Sequence, residues 1–125
     1  MDTHVFLWSV QEDGKLSAAA RAVIESLDSR IFLSAISGFE IANKHRIGKL
    51  PGYAHIVENY HEIARKLEVA ELPISAAHAL FAARFEWARR DPFDRMLAAQ
   101  AFSENLVLIS SDAVFNELPW LDVLW

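Results

Sequence analysis

The chain has 125 residues, 53% of them hydrophobic and 23% charged, with a formal net charge of −5 at pH 7. That length and balance suit a single globular domain spanning residues 1–125 with a real core, and exclude a disordered chain; the negative charge excludes broad electrostatic attraction to nucleic acid while leaving room for local basic contacts. The lack of cysteine excludes disulfide scaffolds, thiol catalysis and thiolate zinc sites, and with no signal pattern and no long uncharged apolar run the expectation is a cytoplasmic protein with no membrane partner.

Taken in order, "MDTHVFLW" opens the chain, with a short helix expected over Thr3–Val10 after Asp2. Ser17 caps a second helix with Ala20, Val23, Ile24 and Leu27 on one side. "RIFLSAI", Arg30–Ile36, is a β-rich run. Ser37 and Glu40 then form an S-x-x-E capping box, stapled by Ile36 and Ile41, and Gly48 and Pro51 end that helix. Tyr53–Leu67 reads as one amphipathic helix through Ile56, Tyr60, Ile63 and Leu67. "VAELPI" is a short strand, and Ser75 caps a helix over Ala76–Phe85. Pro92–Ser103 is the next helix, "LVLIS" (Leu106–Ser110) a continuous apolar strand, Ala113–Glu117 a helical turn and "LDVLW" a final strand. Strands alternating with helices imply an α/β fold with parallel pairing and helices on both faces.

In open sheets of this kind, sites lie beyond the carboxyl ends of the strands. Asp2, Glu40, Asp94 and Asp112 all fall at strand-to-helix junctions or helix starts, which puts them on one rim. Each has a purely structural alternative as a helix cap. In "RRDPFDRMLAAQA", Asp91 fits the N-cap, Pro92 the first helical position and Asp94 the first turn. Four converging carboxylates repel unless a cation joins them, and oxygen-only ligands favour Mg²⁺ or Mn²⁺.

Five stretches resemble the PIN-domain ribonucleases, and among them the VapC-like toxins of bacterial toxin–antitoxin pairs. They are "DTHVFLW" from Asp2, "LSAISGFEIANKHRIGKL" from Leu33, "LPISAAHA" from Leu72, "RRDPFDRMLAAQA" from Arg89 and "LVLISSDAVF" from Leu106. The resemblance implies a three-layer PIN-like fold, with a central, mainly parallel sheet flanked by helices. It implies an endoribonuclease dependent on Mg²⁺ or Mn²⁺, commonly a homodimer and inhibited by a cognate antitoxin. Residue by residue it makes Asp2, Glu40, Asp94 and Asp112 the catalytic, metal-binding acids. Ser110 matches a hydroxyl residue that orients them, and Asp91 serves capping with an outer role. The family also carries several apolar residues before the first aspartate, forming a central strand. Here only Met1 precedes Asp2, so either the start is trimmed or misassigned, or neighbouring strands cover the gap.

Lys44, Arg46 and Lys49 follow Glu40, and Arg89, Arg90 and Arg95 surround the other junction. They form either a cationic margin for RNA phosphates or a solvated helix face, with Arg95 able to hold a carboxylate. His4 and His78 are expected to pack or hydrogen-bond, and His45, His55 and His61 to be exposed. Trp125 is expected in the core, with Trp8 and Trp120 open between core and an antitoxin groove. Two rival functions remain: a non-catalytic PIN-like protein-binding module with an incomplete acidic site, and a metal-dependent DNA nuclease.

Overall fold

Local capping chemistry sets most of the helix starts in the computed structural model, which describes residues 1–125. Asp2 accepts from Val5 N–H and starts α1 (Thr3–Gln11), and Ser17 accepts from Ala20 N–H and starts α2 (Ala18–Ile24). Ser34 ends β1 (Phe32–Ser34) and caps α3 (Ala35–Arg46) through Ile36 N–H. This corrects the capping box assigned to Ser37 and Glu40. Both residues lie inside α3, where their side chains turn to a neighbouring helix. The proposed staple falls with it, because Ile36 and Ile41 pack into different core clusters. The capping box occurs instead at Ser75 and His78, at the start of α6 (Ala76–Arg84). At the far end of α3, Gly48 adopts φ +77, and Gly48 N–H and Lys49 N–H reach back to His45 O and Lys44 O.

The long helix expected over Tyr53–Leu67 is broken at Asn59 into α4 (Ala54–Glu58) and α5 (Tyr60–Lys66). The Asn59 side chain donates to His55 O at 2.9 Å, the local competition that lets this residue type interrupt a helix. Asp91, with Pro92 behind it, starts α7 (Pro92–Ser103) as the sequence anticipates.

Pairing is parallel throughout, so the chain is α/β. β1 pairs with β2 (Ala70–Leu72), and β3 (Leu108–Ile109) with β4 (Val123–Leu124). The strands form two separate two-stranded pairs, an interruption within the expected central, parallel layer. Between them lie Met1 and Asp2. The Met1 amine donates to Phe32 O at 2.8 Å on one side, and Asp2 N–H donates to Ile109 O at 2.9 Å on the other. One bond to each side is too little to weld the pairs together.

Two apolar clusters flank this layer. Val5, Phe6, Leu7, Leu33, Ile41 and Ile56 fill one; Leu97, Ala98, Ala101, Phe115, Leu118 and Leu121 fill the other. The small Ala98 and Ala99 of α7 are fully buried, as close helix packing requires. Trp125 is 40% exposed and meets Trp8 with ring centroids 5.8 Å apart, correcting its assignment to the core: the last residue of a terminal strand has nothing beyond it to cover the ring. Trp120 is half-buried against Phe102 and Phe85, at 4.9 and 5.1 Å. His78 is buried and bonded to Ser75 N and Glu104, whereas His4, His55 and His61 are exposed and His45 half-buried. No helix is long and apolar enough to cross a membrane.

Candidate active site

Asp2 emerges at the carboxyl end of the sheet layer, is 5% exposed, and accepts from Val5 N–H at 2.8 Å. Burial pushes its carboxyl above the ordinary carboxylate range, while the neighbouring Ser110 hydroxyl and Val5 N–H pull the other way. Ser110 also accepts from Asp112 N–H at 3.1 Å. The first and last acids of the sequence set are therefore both neighbours of one hydroxyl.

Glu40 reaches the same neighbourhood from α3. Its carboxylate accepts from the Thr3 hydroxyl and from Lys44 Nζ, each at 2.5 Å, and the Thr3 oxygen lies 3.0 Å from the Ser37 hydroxyl, from which it can accept in turn. The backbone places Thr3 directly beside Asp2, so α1 carries both contacts in consecutive residues.

The third strand of contacts centres on Arg89. Its Nε donates to Asp94 Oδ2 at 2.6 Å, and its Nη2 lies 3.7 Å from Asp112 Oδ2. Burial raises the Asp94 carboxyl, Asp91 and Asp112 raise it further, and Arg89 opposes them. Arg89 in turn is held above its ordinary value, chiefly by Asp94. Asp91 accepts from both Phe93 N–H and Asp94 N–H, at 2.8 and 3.2 Å. That is the capping role assigned to it.

Asp94 and Asp112 thus share one guanidinium, Asp2 and Asp112 share Ser110, and Glu40 joins through Thr3. The set is oxygen-only, as a hard divalent cation prefers. Yet no three Asp, Glu or His side chains stand close enough together to hold a metal ion; the positive charge within the cluster is Arg89.

The basic residues divide. Arg90 and Arg46 are exposed, Arg46 leaning on Asn43 at 2.9 Å. Lys44 is paired with Glu40. Arg95, read as a phosphate contact, is directed inward: it donates to the carbonyls of Ala82, Phe85, Trp87 and Arg89 at 2.5–3.2 Å and lies over the Phe85 ring. That employment corrects its place among the RNA contacts, since a guanidinium spent on four carbonyls is a strut.

Sequence reasoning missed Thr3 and Gln100, gave Ser37 only a capping role, and read Arg89 as part of a cationic margin or solvated face rather than as a partner of the acids. Gln100 is 1% exposed; it accepts from Ser34 and donates to Pro73 O at 3.1 Å. A lone amide on the apolar face of "LAAQA" was the available signal. Phe39 and Phe93, immediately before Glu40 and Asp94, meet with centroids 5.8 Å apart, and Phe39 is 62% exposed.

A family model described as PIN domain matches residues 1–121. Among solved structures, a chain of "VapBC2 from Rickettsia felis bound to a DNA fragment from their promoter" is similar in fold, with TM-score 0.64 and 15% identity, covering 98% of this chain and 93% of that one. No curated protein matches significantly. With the family match running through every element that carries the acids, the chain belongs to the PIN domain family.

Proposed function

We propose that this chain is a divalent-metal-dependent endoribonuclease and the toxin of a toxin–antitoxin pair. The single observation that carries the reading is the linkage of Asp2, Asp94 and Asp112 through Ser110 and Arg89 at the carboxyl end of the parallel strands. PIN family membership and the fold likeness to a chain of a VapBC assembly support it. Asp2, Asp94 and Asp112, which do not stand at ion-holding distance together, would have to draw closer to hold an Mg²⁺ or Mn²⁺ ion, with Glu40 beside them. Such an ion neutralises phosphodiester charge and lowers the pKa of water.

The chain's own residues do the rest. Asp91 starts α7 and so fixes the position of Asp94. Ser110 orients Asp2 and anchors the Asp112 turn. Arg90 and Arg46 offer exposed charge to RNA phosphates, and the Phe39–Phe93 pair offers a ring for an unstacked base. A cognate antitoxin and a second copy of the chain are the proposed partners.

The test is cleavage of single-stranded RNA with and without Mn²⁺, comparing the parent with Asp94→Asn. Loss of cleavage by at least about 100-fold, with an unchanged circular dichroism spectrum, is expected, in line with removal of a charged group from a site that stabilises developing charge. Full activity in the variant removes the mechanism. The second reading, a non-catalytic PIN module that holds a protein partner, draws on the absence of any three acids at ion-holding distance. Failure of Mn²⁺ to bind in calorimetry selects it.

A further inference from the structure

We infer that Arg89 is the resident cation of the acid set in the free chain, and that an RNA phosphate frees the acids for a divalent ion by drawing this guanidinium onto itself. Metal and phosphodiester then bind cooperatively, coupled through one side chain. The inference rests on the metal-dependent reading of Asp2, Asp94 and Asp112, and adds to it the order in which the site is assembled.

The two arginines of this segment are held in opposite ways. Arg95 directs its guanidinium to the carbonyls of Ala82, Phe85, Trp87 and Arg89, and is fixed. Arg89 is anchored at its backbone, where its carbonyl accepts from Arg95 Nη1 at 3.0 Å. Its side chain makes one hydrogen bond, from Nε to Asp94 Oδ2 at 2.6 Å, and one looser ion pair, Nη2 to Asp112 Oδ2 at 3.7 Å. Most of the N–H donors of the guanidinium therefore remain for another acceptor. The side chain is 40% exposed, and solvent weakens an ion pair this open. A firm backbone anchor with a weakly held arm is what a side chain needs to change partners.

The acids call for such an exchange. As they stand, no three Asp, Glu or His side chains lie close enough together to hold an ion. Asp94 and Asp112 both face the guanidinium, so an arriving cation meets an occupied oxygen and a like charge. Once the guanidinium leaves, two carboxylates face each other and repel until a cation replaces it. Glu40 has its own cation, Lys44, on the same helix; Arg89 is the one that bridges acids from two different elements.

A phosphodiester is the acceptor that suits the exchange. Its two non-bridging oxygens match the planar fork of arginine, which a single Nε bond to Asp94 leaves mostly unused. Arg90, next in the chain and exposed, adds charge for the approaching backbone. By linkage, the factor by which phosphate tightens the ion is the factor by which the ion tightens phosphate.

The test is calorimetric titration of Mn²⁺ into the parent, Arg89→Gln and Arg90→Gln, with circular dichroism confirming each fold. Each is measured alone, with a saturating charged tetranucleotide whose bridging oxygens are replaced by methylene to prevent hydrolysis, and with a neutral methylphosphonate tetranucleotide. In the parent the charged form is expected to tighten Mn²⁺ binding at least about fivefold, and the neutral form to leave it unchanged. In Arg89→Gln the ion should bind more tightly without any tetranucleotide, and the gain from adding the charged form should be at least about threefold smaller than in the parent. Arg90→Gln should weaken tetranucleotide binding and keep the gain. A second readout needs neither ion nor variant: the Arg89 Nε–H resonance of the parent should shift with the charged tetranucleotide alone and stay in place with the neutral one. A smaller difference between parent and Arg89→Gln, loss of the gain in Arg90→Gln, or an Arg89 resonance left unmoved overturns the proposal. Mn²⁺-dependent cleavage by a parent that fails in this way leaves the nuclease reading standing, whereas absence of Mn²⁺ binding in every arm removes both.

Discussion

The Thr3 hydroxyl donates to the Glu40 carboxylate at 2.5 Å, with both residues buried and 37 positions apart in the chain. This bond holds α1 and α3 together at the rim and turns Glu40 away from helix capping. Thr3→Val keeps the shape and deletes the donor. It leaves a buried carboxylate dependent on Lys44 alone, and a buried charged acceptor that loses a partner costs about 1–3 kcal/mol. Urea unfolding should report a loss in that range; a change under about 0.5 kcal/mol would show the contact to be incidental.

Arg95 ties four carbonyls from Ala82 to Arg89 to the first turn of α7. The segment it braces delivers Arg89 to Asp94. Lysine has three donors on a point charge and cannot reproduce a planar fork. Arg95→Lys is therefore expected to lower stability by about 2–4 kcal/mol, and to lower activity only in proportion to unfolding. A fully stable variant with weakened RNA binding would return Arg95 to the phosphate-contact role.

Arg89 supplies the positive charge between Asp94 and Asp112, so it competes with any divalent cation for the same oxygens. Because its side chain is 40% exposed, solvent screens much of that competition. Arg89→Gln should tighten Mn²⁺ binding about three- to tenfold in calorimetry, an effect of less than about 1.4 kcal/mol. Weaker binding in the variant would mean that Arg89 assembles the acids rather than occupying their centre.

The Met1 amine provides a pH test. Burial lowers it from 8.0 to about 6, so between those values the unfolded chain carries a proton that the folded chain does not. Acidification through that window therefore favours unfolding. The contribution is fully present above pH 8 and is lost as pH falls to about 6, amounting to at most about 3 kcal/mol at about 1.4 kcal/mol per unit. Urea titrations at pH 8.5 and 5.5 should show this loss in the parent but not in the Nα-acetylated chain. Equal pH dependence in both would place the charge in water.

Short-range chemistry was legible in the residues themselves. Asp2, Ser17, Ser75 and Asp91 cap helices because a short polar side chain followed by helix-forming residues meets its own backbone whatever the rest of the molecule does. The parallel α/β class followed from apolar runs alternating with periodic ones. The same local logic failed at Ser37 and Glu40, where a partner 34 or 37 residues away outbid the neighbouring backbone.

By itself, then, the order of residues determined the helix starts at Asp2, Ser17, Ser75 and Asp91 and the fold class, and offered Asp2, Glu40, Asp94 and Asp112 as candidate carboxylates, since each depends on contacts within a turn or on strand direction. The tertiary structure alone decided that Arg89 lies among those carboxylates, that Arg95 faces inward, that Thr3 holds Glu40, and that the sheet is divided by an apolar slot. Those depend on which distant backbones arrive side by side, and a side chain chooses its partner only after they have.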